Sequence, residues 1–257
     1  MVSWHQLSGS LLLYLAGTAL VQAQSGTPVP SVGAIIGRLA QARGENRARL
    51  RPYKVTRTYK LFTKEGGTPK SEVMADVTFV PPDSKQYVIQ HTSGIGLGEK
   101  IVRQMLKHEM DVMKNYSSAE ISQANYDFRF SREELVAGQN CYVLEMRPKR
   151  EEKNLLVGYI WVDSTTYRLR RTEGQPAKIP SWWLRDVHIE LLYGEVGGMW
   201  LQTASESSAD VRLLGPYTIF SRDLDYEFNE PGAVANLTST PPLGGIRDLW
   251  PLAQHTQ

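Results

Sequence analysis

Few residues in this chain combine the types and spacing that chemistry needs. His108-Glu109 lies in an amphipathic stretch and invites comparison with the helical zinc motif, where two histidines four positions apart share a face and a glutamate acts as base. The position four residues after His108 is Val112, so the second ligand is missing, and His5, His91, His188 and His255 form no pair at ligand spacing. No metal is expected. Gly94-Ile95-Gly96-Leu97-Gly98 precedes a helical pattern, as phosphate loops do, because glycine lets backbone N–H groups close on an anion. The Gly-Lys-Ser/Thr ending and the strand–helix–strand context are absent. The segment reads instead as a flexible approach to a helix, with Gly94, Gly96 and Gly98 as hinge candidates. Cys141 is the single cysteine and falls on an alternating strand with no His nearby in sequence, which predicts a small buried side chain rather than a nucleophile. Glu133-Glu134 and Glu151-Glu152 lie beside turns and read as solvated. No Gly-x-Ser-x-Gly elbow occurs. The expectation is a protein without catalytic residues or cofactor.

Pro180-Ser181-Trp182-Trp183-Leu184 is unusual, because two adjacent tryptophans cannot both face one side of a strand. Two readings stay open: an anchor that fixes a connecting segment in the core, or an aromatic rim on an apolar cavity. Arg147–Lys153 mixes charge signs between two strands and reads as a solvated turn. Asn115-Tyr116-Ser117 and Asn236-Leu237-Thr238 match the glycosylation triplet, which matters only in a eukaryotic secretory pathway.

These residues must be positioned by the elements around them. Ser31 is a suitable N-cap, and Val32, Ile35, Ile36, Leu39 and Ala40 follow at helical spacing, predicting a helix over 31–43 that stops at Gly44. From Arg51 the period becomes two. Val55, Arg57, Tyr59 and Leu61 share one face, and after a Gly-Pro turn Val73, Ala75, Val77 and Phe79 do the same. Val102, Met105, Leu106, Met110 and Met113 then recur at spacings of three and four, predicting a second amphipathic helix over 99–114. Strands resume from Tyr126 and continue to Phe228, where Leu224, Tyr226 and Phe228 alternate with Asp223, Asp225 and Glu227. The alternation places Tyr59, Val77, Phe79, Phe128, Leu144, Ile189, Leu191 and Tyr226 on a buried face. The fold class is mainly β (α+β), with about ten or eleven strands in hairpin order, hence antiparallel. A sheet this large curls, and two helices over its open side complete a half-barrel.

Composition bounds the function. Lys and Arg number 29 against 27 Asp and Glu, spread along the chain, which argues against a nucleic-acid binder with its concentrated basic face. One cysteine excludes a disulfide framework. Leu11–Val21 is an apolar run of 11 residues, and Val21-Gln22-Ala23 completes a cleavage signal, so 1–23 reads as a secretory signal peptide. No segment approaches the roughly 20 apolar residues that span a bilayer, so no transmembrane segment is expected in the mature chain. The remainder reads as one sheet domain over 24–229 and an irregular Pro-containing tail over 230–257.

The stretch 125–226 resembles the outer-membrane lipoprotein-sorting family, with the LolA/LolB/RseB-type fold, in an uncharacterised branch. The residues that carry the resemblance include Asn125-Tyr126-Asp127-Phe128-Arg129-Phe130, Cys141-Tyr142-Val143-Leu144-Glu145-Met146-Arg147-Pro148, Gly158-Tyr159-Ile160-Trp161-Val162-Asp163 with the arginine strand from Arg170, and Trp183-Leu184-Arg185-Asp186-Val187-His188. The resemblance implies a curved antiparallel sheet with helical lid elements around an apolar cavity, in the periplasm. It implies lipoprotein acyl chains or lipid as the ligand, with an envelope protein-interaction or sensor module of the same fold as the alternative. The lid candidates are Val102, Met105, Leu106, Met110 and Met113, since methionine adapts to varied acyl shapes. The cavity candidates are Tyr59, Phe79, Phe128, Trp182 and Trp183.

Overall fold

The computed structural model describes residues 28–63, 67–228 and 234–235. The expected signal peptide, and the expected tail apart from Val234–Ala235, lie outside the described residues. The chain divides at Pro30; of the first unit, Met1–Pro30, only 28–30 are described, and they carry no regular structure. All that follows concerns the second unit.

Helix α1 spans Val32–Arg49. Ser31 caps it, its hydroxyl accepting from the Ala34 amide at 3.2 Å. Ile35, Ile36 and Leu39 are buried, as their spacing predicts. The expected stop at Gly44 is not used, and Gly44 is an exposed helical residue. Contacts beyond it carry the helix on: Asn46 donates to the Trp200 carbonyl at 2.9 Å and accepts from the Trp200 amide at 2.6 Å. The helix ends where Pro52 disfavours helical geometry at Arg51, with Arg47 and Arg49 at the negative end of the dipole.

Strands β1 (Tyr53–Phe62), β2 (Ser71–Val80) and β3 (Ser84–Gly94) form the first meander. Helix α2 (Gly96–Lys114) and the single turn α3 (Tyr116–Ala119) follow. Then come β4 (Tyr126–Val136), β5 (Gln139–Pro148), β6 (Leu156–Asp163), β7 (Leu169–Pro176), β8 (Leu184–Val196), β9 (Met199–Val211) and β10 (Gly215–Phe228). β11 (Val234–Ala235) pairs with β10, so the segment expected to be irregular contains a two-residue strand. All strands join one open antiparallel sheet in the order β3-β2-β1-β10-β9-β8-β7-β6-β5-β4, with β11 beside β10. The one step in that order between strands not consecutive in sequence is β1 against β10, which brings distant parts of the described chain together.

Directly paired residues point to the same side of a sheet, so one row can be followed across it. Thr92, Val73, Tyr59, Ser221, Ser205, Leu191, Thr172, Ile160, Leu144 and Phe130 pair in succession from β3 to β4. Both helices pack on this face. α1 meets Tyr126, Leu144, Met146, Ile160 and Val162, while α2 meets Tyr53, Val55, Tyr59, Leu61, Val77 and Phe79. Of the eight residues expected on the buried face, Tyr59, Val77, Phe79, Leu144 and Tyr226 are buried and Phe128, Ile189 and Leu191 are half-buried. Between the two apolar clusters the row turns polar, and the Ser205 and Ser221 hydroxyls lie 2.7 Å apart. The opposite face carries ion pairs such as Lys54–Asp76 at 2.9 Å, with a small buried cluster of Cys141, Val143 and Trp161.

One departure from period two matters. The register shifts between Val55 and Arg57, so that Val55 pairs with Tyr226 but Arg57 with Asp223. The extra residue in β10 puts Asp223 on the same face as Tyr226, whereas strict alternation puts it on the other. No described helix is long and apolar enough to cross a membrane, a statement that leaves β-barrels aside.

Candidate functional site

The site lies where α2 crosses β1, β2 and β3. Val102 and Leu106 are buried, and Ile101, Met105 and Met113 pack half-buried on the cluster that contains Tyr59 and Phe79. Met110 is half-buried. Of the other cavity candidates, Phe128 belongs to the α1 cluster, beside Tyr126. Trp182 and Trp183 lie on the β7–β8 connection and belong to neither cluster.

The expected hinge is differently built. α2 begins at Gly96, three residues before the expected start, so Gly96 and Gly98 lie inside the helix. Gly98 is buried against β2, and a Cβ there would fall 2.2 Å from Ser71 Oγ. It is glycine because the helix touches the strand at this point. Gly94 has φ +81° and turns the chain from β3 towards α2, with the Ile95 amide donating to the Lys70 carbonyl at 2.9 Å.

Under α2 sits a cluster of charges that no sequence motif marks. Arg57, only 5% exposed, projects from the apolar row of β1. Its Nη1 donates to Glu109 Oε2 of α2 at 2.8 Å and its Nη2 to Asp223 Oδ2 at 3.1 Å, while Nε also donates to Asp223. Lys85 of β3 donates to the other Glu109 oxygen. The Tyr226 hydroxyl donates to Asp223 Oδ2 at 2.7 Å. Two cations and two carboxylates thus alternate from β3 through α2 and β1 to β10.

Electrostatics fix Arg57 and Glu109 in their charged forms. Burial pushes the Glu109 carboxyl up, but the Arg57 and Lys85 charges outweigh it and bring it down from 4.5 to about 2. Burial would lower the Arg57 pKa, yet Asp223 and Glu109 raise it well above its usual value. Burial, then the Asp223 charge, raises Tyr226, and burial takes Tyr59 up to about 12. Both phenols therefore stay protonated. Every carboxylate in the cluster is saturated by a cation or phenol, which suits a clasp and leaves no base poised for proton transfer.

Two members left a trace in the sequence. Arg57 alternates onto the apolar face of β1, and Glu109 follows Leu106 by three and precedes Met113 by four, on the stripe that faces the sheet. A cation in one apolar row and an anion in another are a signal for pairing. Asp223 left none, because the bulge reverses its face. His108, next to Glu109, is exposed. Among the described residues no group of three His, Cys, Asp or Glu could hold a metal. Cys141 is buried on the opposite face, where burial raises its thiol to about 11.

No family model matches the sequence, and no curated protein matches it. Among solved structures the chain is similar to a putative outer membrane lipoprotein-sorting protein domain from Vibrio parahaemolyticus, at 13% identity and TM-score 0.41, covering 74% of this chain and 92% of that one. It is similar to a DUF1329 family protein from Desulfovibrio piger at 15% identity and TM-score 0.41, covering 80% and 96% of the two chains. A LolA superfamily protein from Nitrosomonas europaea is 9% identical, with TM-score 0.36 over 79% of this chain and 95% of that one. The likeness is one of general architecture.

Proposed function

We propose that this is an exported, non-catalytic binding protein that takes an apolar ligand, a lipoprotein acyl chain or lipid, between α2 and the sheet. The observation that carries the reading is the charged clasp under α2. A helix that only closes a core gains little from buried ion pairs, since desolvation cancels much of their attraction. A helix that leaves and returns gains a defined closed position from them. Opening α2 parts Glu109 from Arg57 and Lys85 and uncovers Tyr53, Val55, Tyr59, Leu61 and Phe79. Arg57 keeps Asp223 as partner, so the open state leaves Glu109, which is 29% exposed when closed, and Lys85 to meet water. Met105 and Met113 suit contact with chains of varied shape.

The alternative, an envelope protein-interaction or sensor module, is favoured by how fully Val102 and Leu106 occupy the face beneath α2. A reversible disulfide between α2 near Glu109 and β3 near Lys85 separates the two. Uptake of a fluorescent long-chain fatty acid or a diacylated lipopeptide should stop when the disulfide is closed and return on reduction. Uptake that ignores the tether contradicts the lid, and no uptake in either state turns the reading to the interaction module.

A further inference from the structure

The β7–β8 connection and the β9–β10 turn lie together at one end of the sheet. The Arg212 amide donates to the Trp183 carbonyl at 2.9 Å, and Leu184 pairs with Val211. Five large apolar side chains on these two loops face solvent: Ile179, Trp182, Trp183, Leu213 and Leu214. Trp182 is 81% exposed and Leu213 fully so.

Leu213 is the telling residue. The Leu214 amide donates to the Val211 carbonyl at 3.0 Å, which makes Leu213 the third residue of a four-residue turn. Its φ is +70°. Turns with positive φ at that position ordinarily take Gly or Asn. Here a leucine is held in an unfavourable backbone conformation with its side chain wholly in water. Strain combined with exposure of an apolar group asks for a ligand.

We propose that these two loops form a docking tip for a lipid bilayer surface. The apolar groups sit on the tips of adjacent loops rather than in a groove, which suits insertion between headgroups better than a protein's side chain. Tryptophan favours the depth of the headgroups, and leucine the acyl boundary below them. Lys178, Arg185 and Arg212 border the tip and outnumber Asp186 and Asp210, the latter paired with Arg185 at 2.9 Å. A small positive excess beside exposed apolar residues complements anionic headgroups. Neither loop belongs to α2 or its clasp, so docking stands independently of ligand uptake.

The test places an environment-sensitive fluorophore at Leu213→Cys in the full chain; buried Cys141 leaves the introduced thiol as the reactive one. A control label goes at Thr166→Cys in the β6–β7 turn, at the other end of β7. With vesicles of phosphatidylethanolamine and phosphatidylglycerol, the label at 213 should shift to the blue and the label at 166 should not. Adding Trp182→Ser and Leu214→Ser to the Leu213→Cys protein should weaken the shift roughly tenfold in vesicle concentration. The proposal is overturned by no shift at 213, by equal shifts at both labels, or by a shift that survives the two serines. A shift that appears without vesicles as protein concentration rises also overturns it and assigns the tip to contact between protein molecules.

Discussion

α1 and α2 cover the same face of one sheet and are held to it by different means. α1 is capped by the Ser31 hydroxyl, buries Ile35, Ile36 and Leu39 among apolar residues of β4, β5 and β6, and is pinned to β9 by both hydrogen bonds of Asn46. α2 has no side-chain cap at Ile95, rests on the sheet partly through methionine, and is tied down by Glu109 to Arg57 and Lys85. Apolar packing holds at any pH, whereas the ion pairs that hold α2 depend on the charge of one carboxylate, Glu109. On the proposed function, the sheet carries a permanent cover on one half and a releasable one on the other. The polar seam of Ser205, Ser221 and Thr172 separates the two apolar clusters, so opening one half need not unpack the other.

Loss of Arg57 should have the largest effect. Arg57→Ala leaves Asp223 without a cation and Glu109 with Lys85 alone, and should cost about 3–5 kcal/mol in urea unfolding. Core truncations sharpen the contrast between α1 and α2. Leu39→Ala on α1 should cost about 2–5 kcal/mol of global stability. Leu106→Ala on α2 should cost less globally, with the loss appearing as easier local opening of α2. An equal effect on global unfolding at both sites would erase the distinction.

Acid acts on the clasp selectively. Glu109 titrates at about 2 when folded, against an ordinary 4.5. A depressed carboxylate contributes its stabilisation fully above the ordinary value and loses it as pH falls through the folded one. Amide exchange in α2, corrected for intrinsic pH dependence, should therefore accelerate relative to α1 as pH drops from about 4.5 towards 2. Glu109→Gln should flatten that dependence. The smallest effect is at the α1 cap, where Ser31→Ala should cost about 1 kcal/mol by thermal or chemical unfolding.

Much of the fold is legible in the sequence, because period-two patterning reports the face of each residue while register holds. Tyr59, Leu144 and Leu191 lie on their expected face although they come from distant strands. Legibility fails where tertiary contacts override local signals. Gly44 looks like a stop, but Asn46 finds Trp200 beyond it. Gly98 looks like part of a loose approach, but Ser71 presses on it. Asp223 looks solvent-facing, but one extra residue in β10 turns it inward. Arg57 and Glu109 are readable as charges in apolar rows, whereas the place of Asp223 depends on that bulge.

The most direct measurement is native-state hydrogen exchange followed by mass spectrometry, comparing the peptides of α1 and α2 as urea is raised below the unfolding transition. If α2 is a releasable cover, its amides will exchange through an opening that needs less free energy than global unfolding, and Glu109→Gln will lower that opening further while α1 stays protected. Exchange of α1 and α2 together, at the free energy of global unfolding and unmoved by Glu109→Gln, would contradict it.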